Sequence, residues 1–383
     1  MIKKFLKLFS NHTLLFTLVS ILLGLIIGAL ILLAAGYNPL QAYGVMIQGI
    51  FGKPKYLSYV IIRSTPLILT GLSIAFAFRT GLFNIGAEGQ FIIGSTTAVA
   101  VGYFLHLPMI LHIPLVIVCA IFAAGFWGGI AGYFKARFGV NEVISTIMLN
   151  WVALYLQNFL IYTHGFQKPG GEVSYSIQPT ASIRFLNEWK LSDEGTQWLI
   201  EHPFWRDFFK TPINWGFLIA IAVAVLLWFI LKHTTLGYRL RAVGFNPNAA
   251  EYGGINVKKN IVISMTIAGA LSGLAGAVQV MGVSHNVSLL AAMEGYGFDG
   301  IAVSLIGSST PAGCVLAGLL FGALKYGGPK MQPAMGAPSE IINIVIGIIV
   351  FFIAMPQLIR LLLKFTQKKK ETVTETVEID YVG

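Results

Sequence analysis

A chain of 383 residues that is 56% hydrophobic and only 11% charged lies far from the roughly 25% charged residues of a soluble domain, which leaves a polytopic membrane protein. Its formal charge of +10 sits at the ends of apolar segments, an orientation signal rather than a nucleic-acid surface. The two cysteines, Cys119 and Cys314, stand far apart in apolar runs, with neither the spacing of a disulfide framework nor that of a zinc site.

The N-terminus, MIKKFLKLFSNHTLLF, begins like a signal peptide. Its apolar run over 14–35 outlasts the roughly 7–15 residues of a signal-peptide core, so an uncleaved first span is expected. Further spans are predicted at 57–78, 82–104, 109–134, 142–163, 213–231, 260–282, 297–308, 311–326 and 339–363, the pair at 297–308 and 311–326 being short for crossings. Lys3, Lys4 and Lys7 precede the first span, and Lys364, Lys368, Lys369 and Lys370 follow the last. By the positive-inside rule both termini are cytosolic and the crossing number is even, ten, with eight as the alternative. The same rule places Arg79, Lys135, Arg137, Lys232, Arg239, Arg241, Lys258 and Lys259 on the cytosolic side.

The fold class is therefore an all-α helical bundle with broken or re-entrant segments, forming one transmembrane domain. Within it 1–35 is the first span, 57–163 the N-terminal helical half, 164–212 an extracytoplasmic loop, 213–363 the C-terminal half and 364–383 a cytosolic tail. The outside loop mixes Lys168, Arg184, Lys190, Arg206 and Lys210 with Glu172, Glu188, Asp193, Glu194, Glu201 and Asp207. Trp189, Trp198, Trp205 and Trp215 suit interface anchors on one or two short helices lying on the outer surface. Glycines recur at four-residue spacing (Gly24 and Gly28, Gly128 and Gly132, Gly269 and Gly273, Gly318 and Gly322), which predicts close helix packing.

Residues 79–94, RTGLFNIGAEGQFIIG, put Asn84, Glu88 and Gln90 into an apolar segment. If the chain climbs as a helix from an interfacial Arg79, Glu88 lies about 13 Å up, near the middle of a roughly 30 Å core. An acid there is unfavourable by about 2.5–3.5 kcal/mol on insertion scales, so it marks a functional site by default. Asn84, Glu88, Phe91 and Ser95 then share one helical face, a polar and aromatic stripe suited to a ring-bearing solute. The plain alternative is a structural carboxylate that pairs Arg63 or caps a half-helix. Arg63, about 24 Å from Arg79 by helical rise, belongs to the solute path or snorkels outward.

A second Gly-rich stretch, GYGFDGIAVSLIG, places Asp299 as Glu88 is placed, which suggests an internal repeat with broken helices. Its GYGFDG matches GxGxxG but lacks the strand and the later acid of a dinucleotide site. No GxxxxGK[ST] or HExxH occurs, so no catalytic residue, cofactor or metal site is assigned. The loop 234–259, TTLGYRLRAVGFNPNAAEYGGINVKK, is basic and patterned: Asn246 and Pro247 start a short helix that Gly253 and Gly254 end. A helix lying across the cytosolic face suits a partner ATPase; an ordinary basic loop is the alternative.

Four ordered stretches, TPLILTGL at 65–72, AFRTGLFNIGAEGQ at 77–90, the run from Leu240 through Asn256, and GYGFDGIAVSLIG at 295–307, resemble the permease subunits of ABC importers for branched-chain amino acids, simple sugars and nucleosides, the nucleoside (guanosine-type) branch above all. The resemblance covers about 57–363. It implies a non-enzymatic, multi-pass subunit of the plasma membrane, bathed in membrane lipid. Its implied partners are a cytosolic ABC ATPase, a second related permease, an extracytoplasmic substrate-binding lipoprotein and a nucleoside as solute; ATP is bound by the ATPase. It also implies that Gly237, Arg239, Arg241, Gly244, Asn246, Pro247, Ala249, Ala250, Gly254 and Ile255 form the ATPase contact, and that Asn84, Glu88, Gln90, Phe91, Asp299 and Arg63 lie on the solute path. The outside loop near 185–210 is longer and richer in tryptophan than the family pattern. A simple-sugar permease and an ion-coupled secondary transporter with Glu88 as proton carrier remain the alternatives.

Overall fold

The computed structural model describes residues 12–354 apart from residue 164; the basic runs on which the expected cytosolic placement of both termini rests lie outside these residues. The chain is all-α: α1 (His12–Ala34), α2 (Pro39–Phe51), α3 (Pro54–Phe78), α4 (Ala87–Phe104), α5 (Met109–Phe138), α6 (Glu142–Ile161), α7 (Asn187–Leu191), α8 (Asp193–Glu201), α9 (Pro203–Phe209), α10 (Gly216–His233), α11 (Thr235–Phe245), α12 (Pro247–Tyr252), α13 (Val257–Gln279), α14 (Tyr296–Ile306), α15 (Pro311–Gly327), α16 (Met331–Met335) and α17 (Ser339–Ala354). Its contacts divide it into two units, one of residues 1–46 and 328–383, the other of 47–327.

Among the described residues five helices, α3, α5, α6, α10 and α13, are long and apolar enough to cross a membrane, or six if the pair 19–34 and 39–51, bent by 118°, forms one span. α14 and α17 are shorter apolar helices. In the larger unit α3 and α13 are the core, with 89% and 67% of their apolar windows buried, against 28% for α5 and α10. An apolar helix that hides little of itself in protein must hide the rest in lipid. Thus α5 and α10 are peripheral, and α3 and α13 are what the site is built on.

Local chemistry sets the ends. Pro54 occupies the first turn of α3, where a missing N–H costs nothing. Gly139, at φ +69°, closes α5 by donating to the Lys135 carbonyl. Asn141 then caps α6 by accepting from the Val143 N–H at 2.8 Å, and Lys135 pairs with Glu142 across the link at 2.5 Å.

The four glycine pairs all lie at close helix approaches. A Cβ at Gly273 or Gly269 would overlap Ala124 of α5, one at Gly128 would overlap Met265 of α13, and ones at Gly318 and Gly322 would meet Ile68 and Ser64 of α3. In the smaller unit Gly24 and Gly28 of α1 stand against Ile349 and Val345 of α17. Side-chain absence there sets interhelical distance.

Three expectations are corrected. Residues 82–104 are not one helix: α3 stops at Phe78, a turn with Gly81 at φ +72° follows, and α4 starts only at Ala87. Asn84 therefore shares no helical face with Glu88, Phe91 and Ser95, and the height reckoned for Glu88 by continuous helical rise does not apply. The segment 164–212 carries three short helices, α7 to α9, rather than one or two, because Ser192 caps α8 through the Gly195 N–H and Pro203 restarts the chain as α9. Isolated bridges (Val173 with Ser288, Arg184 with Asn214) tie this segment to the chain after α13 and to the approach to α10.

Candidate functional site

The break between α3 and α4 is held by amides. Asn84, fully buried, accepts from the Gly86 N–H at 3.1 Å and exchanges two hydrogen bonds with the Gln90 amide, at 2.9 and 3.1 Å. It also donates to Ser73 Oγ, which donates to the Ala268 carbonyl at 2.6 Å. From α6, Asn150 accepts from the Gly89 N–H at 2.8 Å and donates to the Ile85 carbonyl at 3.0 Å. Asn84 and Gln90 are absent from the lining of the two cavities described below. Asn84 and Asn150 satisfy backbone groups that a broken helix leaves exposed in an apolar interior, and Gln90 holds the Asn84 amide in place.

Glu88, in the first turn of α4 and fully buried, directs its carboxylate at the start of α14. It accepts from the Gly295 N–H at 2.7 Å and the Gly297 N–H at 2.5 Å. Gly295 has φ +89°, and a Cβ at Gly297 would overlap the Glu88 backbone. So the two Gly-rich acidic stretches touch: one helix start caps the other, with the negative charge at the positive end of α14. Capping a half-helix is the geometry seen, and Arg63 is not its partner.

That docking sets the wall of a cavity of about 440 Å³, lined by Arg63, Leu67, Gln279, Glu294, Tyr296, Asp299 and Lys325. Arg63 does not snorkel away; its guanidinium donates to the Tyr296 hydroxyl at 3.1 Å. Asp299 pairs with Lys325 at 3.0 Å. Tyr296 also receives the Thr70 hydroxyl on its carbonyl at 3.0 Å and stacks on buried Phe91, with ring centroids 5.0 Å apart. Phe91, Ser95 and Gln157 line a smaller cavity of about 100 Å³ that shares Gln279 and Glu294 with the larger one. Two cations, two acids, an amide and a backed ring thus converge on one space, the pattern of a small-molecule site of ordinary size.

Of the expected path residues, Arg63 and Asp299 line the large cavity and Phe91 the small one, while Asn84, Glu88 and Gln90 stand behind the wall. Gln279, Glu294, Tyr296 and Lys325 went unread. Tyr296 and Glu294 flank Gly295 beside Asp299, and Lys325 is a lone cation late in an apolar run, a signal available in the sequence.

The segment after α10 is built of two capped helices. Thr234 accepts from the Gly237 N–H at 3.1 Å to start α11. Asn246 accepts from the Ala249 N–H at 3.1 Å to start α12, with Pro247 in its first turn. Gly254, at φ +78°, ends α12 as Ile255 donates to the Ala250 carbonyl at 2.9 Å. The ten residues expected here divide by direction. Gly237 packs on Ile230 and Leu231, Gly244 on Arg79 and Ala250 inward, whereas Arg239, Asn246, Pro247, Ala249 and Gly254 are exposed. Arg241 and Ile255 are half-buried, Arg241 donating to the Gly237 carbonyl at 3.3 Å. Two aromatics not anticipated stand out from the segment, Phe245 at 91% and Tyr252 at 95% exposure.

A family model described as the branched-chain amino acid transport system permease component matches residues 56–354. Among known proteins, the guanosine ABC transporter permease protein NupP of Bacillus subtilis is 43% identical over 360 residues, 93% of this chain and 97% of its own. The nucleoside ABC transporter permease protein NupB of Lactococcus lactis is 37% identical, over 90% and 92% of the two chains. The glucose ABC transporter permease protein TsgB13 of Haloferax volcanii is 30% identical, over 87% and 85%. No solved structure matches the chain significantly.

Proposed function

Since the chain belongs to the permease component family of the branched-chain amino acid transport system, and is thus a multi-pass, non-catalytic subunit of an ABC importer, we propose that its solute is a nucleoside and that the Tyr296 cavity is its route. Relatives named for guanosine and nucleosides, alike over nine-tenths of the chain, support this substrate class. The observation that carries it is the Tyr296 ring, backed by Phe91, in a cavity that also offers carboxylates, an amide and cations. A base stacks on such a ring, while the polar groups receive its edge and the ribose hydroxyls. A sugar can lay its C–H face on the same ring, so the ring favours a base only together with the polar groups that receive the base edge.

In this reading an extracytoplasmic lipoprotein delivers the solute, a second related permease completes the channel, and a cytosolic ATPase grips α11 and α12. Exposed Phe245, Tyr252, Arg239 and Pro247 would meet the ATPase, and Gly237, Gly244 and Ala250 would hold the segment to the bundle. Some ten crossings with both termini in the cytosol complete the proposal, as the positive-inside rule requires. Movement is alternating access, which needs the solute and the ATPase to favour different states. Uptake of labelled guanosine or uridine against ribose, in a strain deleted for this chain and complemented with it, tests the substrate; sugar uptake alone would overturn it. Transport by the purified chain without an ATPase would favour an ion-coupled carrier instead.

A further inference from the structure

A cleft of about 680 Å³ runs along the outer faces of α5 and α13, between Phe122, Phe126 and Ile130 on one helix and Val262, Thr266 and Ala270 on the other. Gly125 and Gly129 leave it deep. From Ile121 to Phe134 it extends about 20 Å by helical rise, somewhat more than one leaflet of a roughly 30 Å core. The two helices run antiparallel here, Gly125 lying by Ala270 and Gly132 by Val262. The end of α5 and the start of α13 therefore share one mouth of the cleft. Lys135 at that mouth is paired with Glu142. Arg137, Lys258 and Lys259 are exposed there, and among the described residues no acid lies within ion-pair distance of them.

An apolar trough of leaflet length, ending at three unpaired cations, has the shape and charge of one kind of partner. We propose that the α5/α13 cleft seats an acyl chain of an anionic phospholipid whose headgroup lies against Arg137, Lys258 and Lys259. Basic pockets beside membrane helices select such headgroups. A second copy of this chain fits the face less well, because two-fold pairing about the membrane normal would set the same three cations opposite one another. Asn256 caps α13 directly after α12, so the lipid would brace the helix start from which the 235–256 segment hangs.

The test is native mass spectrometry of the full chain, taken from phosphatidylcholine membranes containing phosphatidylglycerol. The wild type is expected to retain phosphatidylglycerol selectively. Replacing the cations together (R137Q, K258Q, K259Q) should weaken that retention on the order of a hundredfold, and A270F, which fills the trough, should remove the lipid with the charges in place. The triple variant alters only exposed side chains, so its result stands even if A270F fails to fold. Unchanged selectivity in the triple variant overturns the proposal. So does efficient disulfide cross-linking between copies bearing I130C in native membranes, which would put a second chain in the cleft.

Discussion

Glu88 accepts two backbone N–H groups that the first turn of α14 cannot satisfy alone. Replacing it by alanine removes the acceptor of both, at about 1–3 kcal/mol for the buried Gly297 N–H and less for the half-buried Gly295 N–H. Glutamine keeps one accepting oxygen but turns its amide NH2 toward the second donor. Apparent melting of the purified protein should therefore fall in the order Glu88, Gln, Ala, and an alanine variant as stable as wild type would remove the cap from the account. At Tyr296 the prediction concerns transport. Tyr296→Phe keeps the ring and loses the Arg63 bond, whereas Tyr296→Leu loses the platform, worth about 0.5–1.5 kcal/mol in aromatic stacking. Guanosine uptake should drop about tenfold in the leucine variant and far less in the phenylalanine one; equal uptake in the two would dismiss the ring.

Glu88 was legible because a carboxylate in an apolar run demands a partner. Its partner was not, because it lies 207 residues away in backbone N–H groups that no side-chain pattern reports. Asn84 was misplaced for a local reason. The LFNIG run looks apolar enough to continue a helix, and the stop at Gly81, where Leu82 donates back to the Ala77 carbonyl, depends on one backbone angle. Lys325 escaped notice because a lysine near the end of an apolar run usually reaches the interface, and here Asp299 draws it to the cavity.

At the scale of elements, the 164–212 segment is pinned to the C-terminal end of α13. That helix loosens into a π-turn at Val280–Ser284, and Arg184 donates to the carbonyls this frees, to Gly282 at 3.2 Å and Val283 at 2.9 Å. His285 follows at φ +62°, its Nε2 3.4 Å from Ser182 Oγ. Burial, and then the Arg184 charge, lower its pKa below the ordinary 6.5. The detached segment therefore binds the proton more readily than the docked one. Docking is complete above about 6.5 and weakens as the pH falls from there toward the lowered value. Hydrogen exchange over 174–184 should quicken on that acid side, and His285→Asn, which tolerates the left-handed backbone, should flatten the profile. An undiminished pH slope in the asparagine variant would move the effect elsewhere. Trp189, Trp198 and Trp205 each sit on one of the short helices α7 to α9, and Trp215 directly precedes α10. What the sequence hid was that a loop after α6 and a turn after α13 are one structure.

For the whole molecule, the direction of force is the question that remains, and the 234–259 segment decides it. α11 and α12 start from the side-chain caps Thr234 and Asn246, and Asn256 caps α13 directly after them; Gly244 packs against the backbone of Arg79. Arg79 in turn donates to the Ser309 carbonyl at 3.0 Å, beside the end of α14, whose start carries Tyr296 and Asp299 to the cavity. A push on α12 would reach the cavity wall through α11, the Gly244–Arg79 contact and the Arg79 side-chain hydrogen bond to Ser309. Phe245 and Tyr252 are the exposed aromatics from which such a push would start, the residue type that dominates binding energy at interfaces. Phe245→Ala with Tyr252→Ala should cut ATPase co-purification and ATP-driven uptake at least tenfold while leaving the melting of the permease unchanged. Gly244→Leu should instead leave the ATPase bound and abolish uptake, since it wedges the segment away from Arg79. A cysteine at Glu251 should react with an impermeant maleimide only after the cells are opened. Labelling in intact cells would put the segment on the outer face and end the case for an ATPase there.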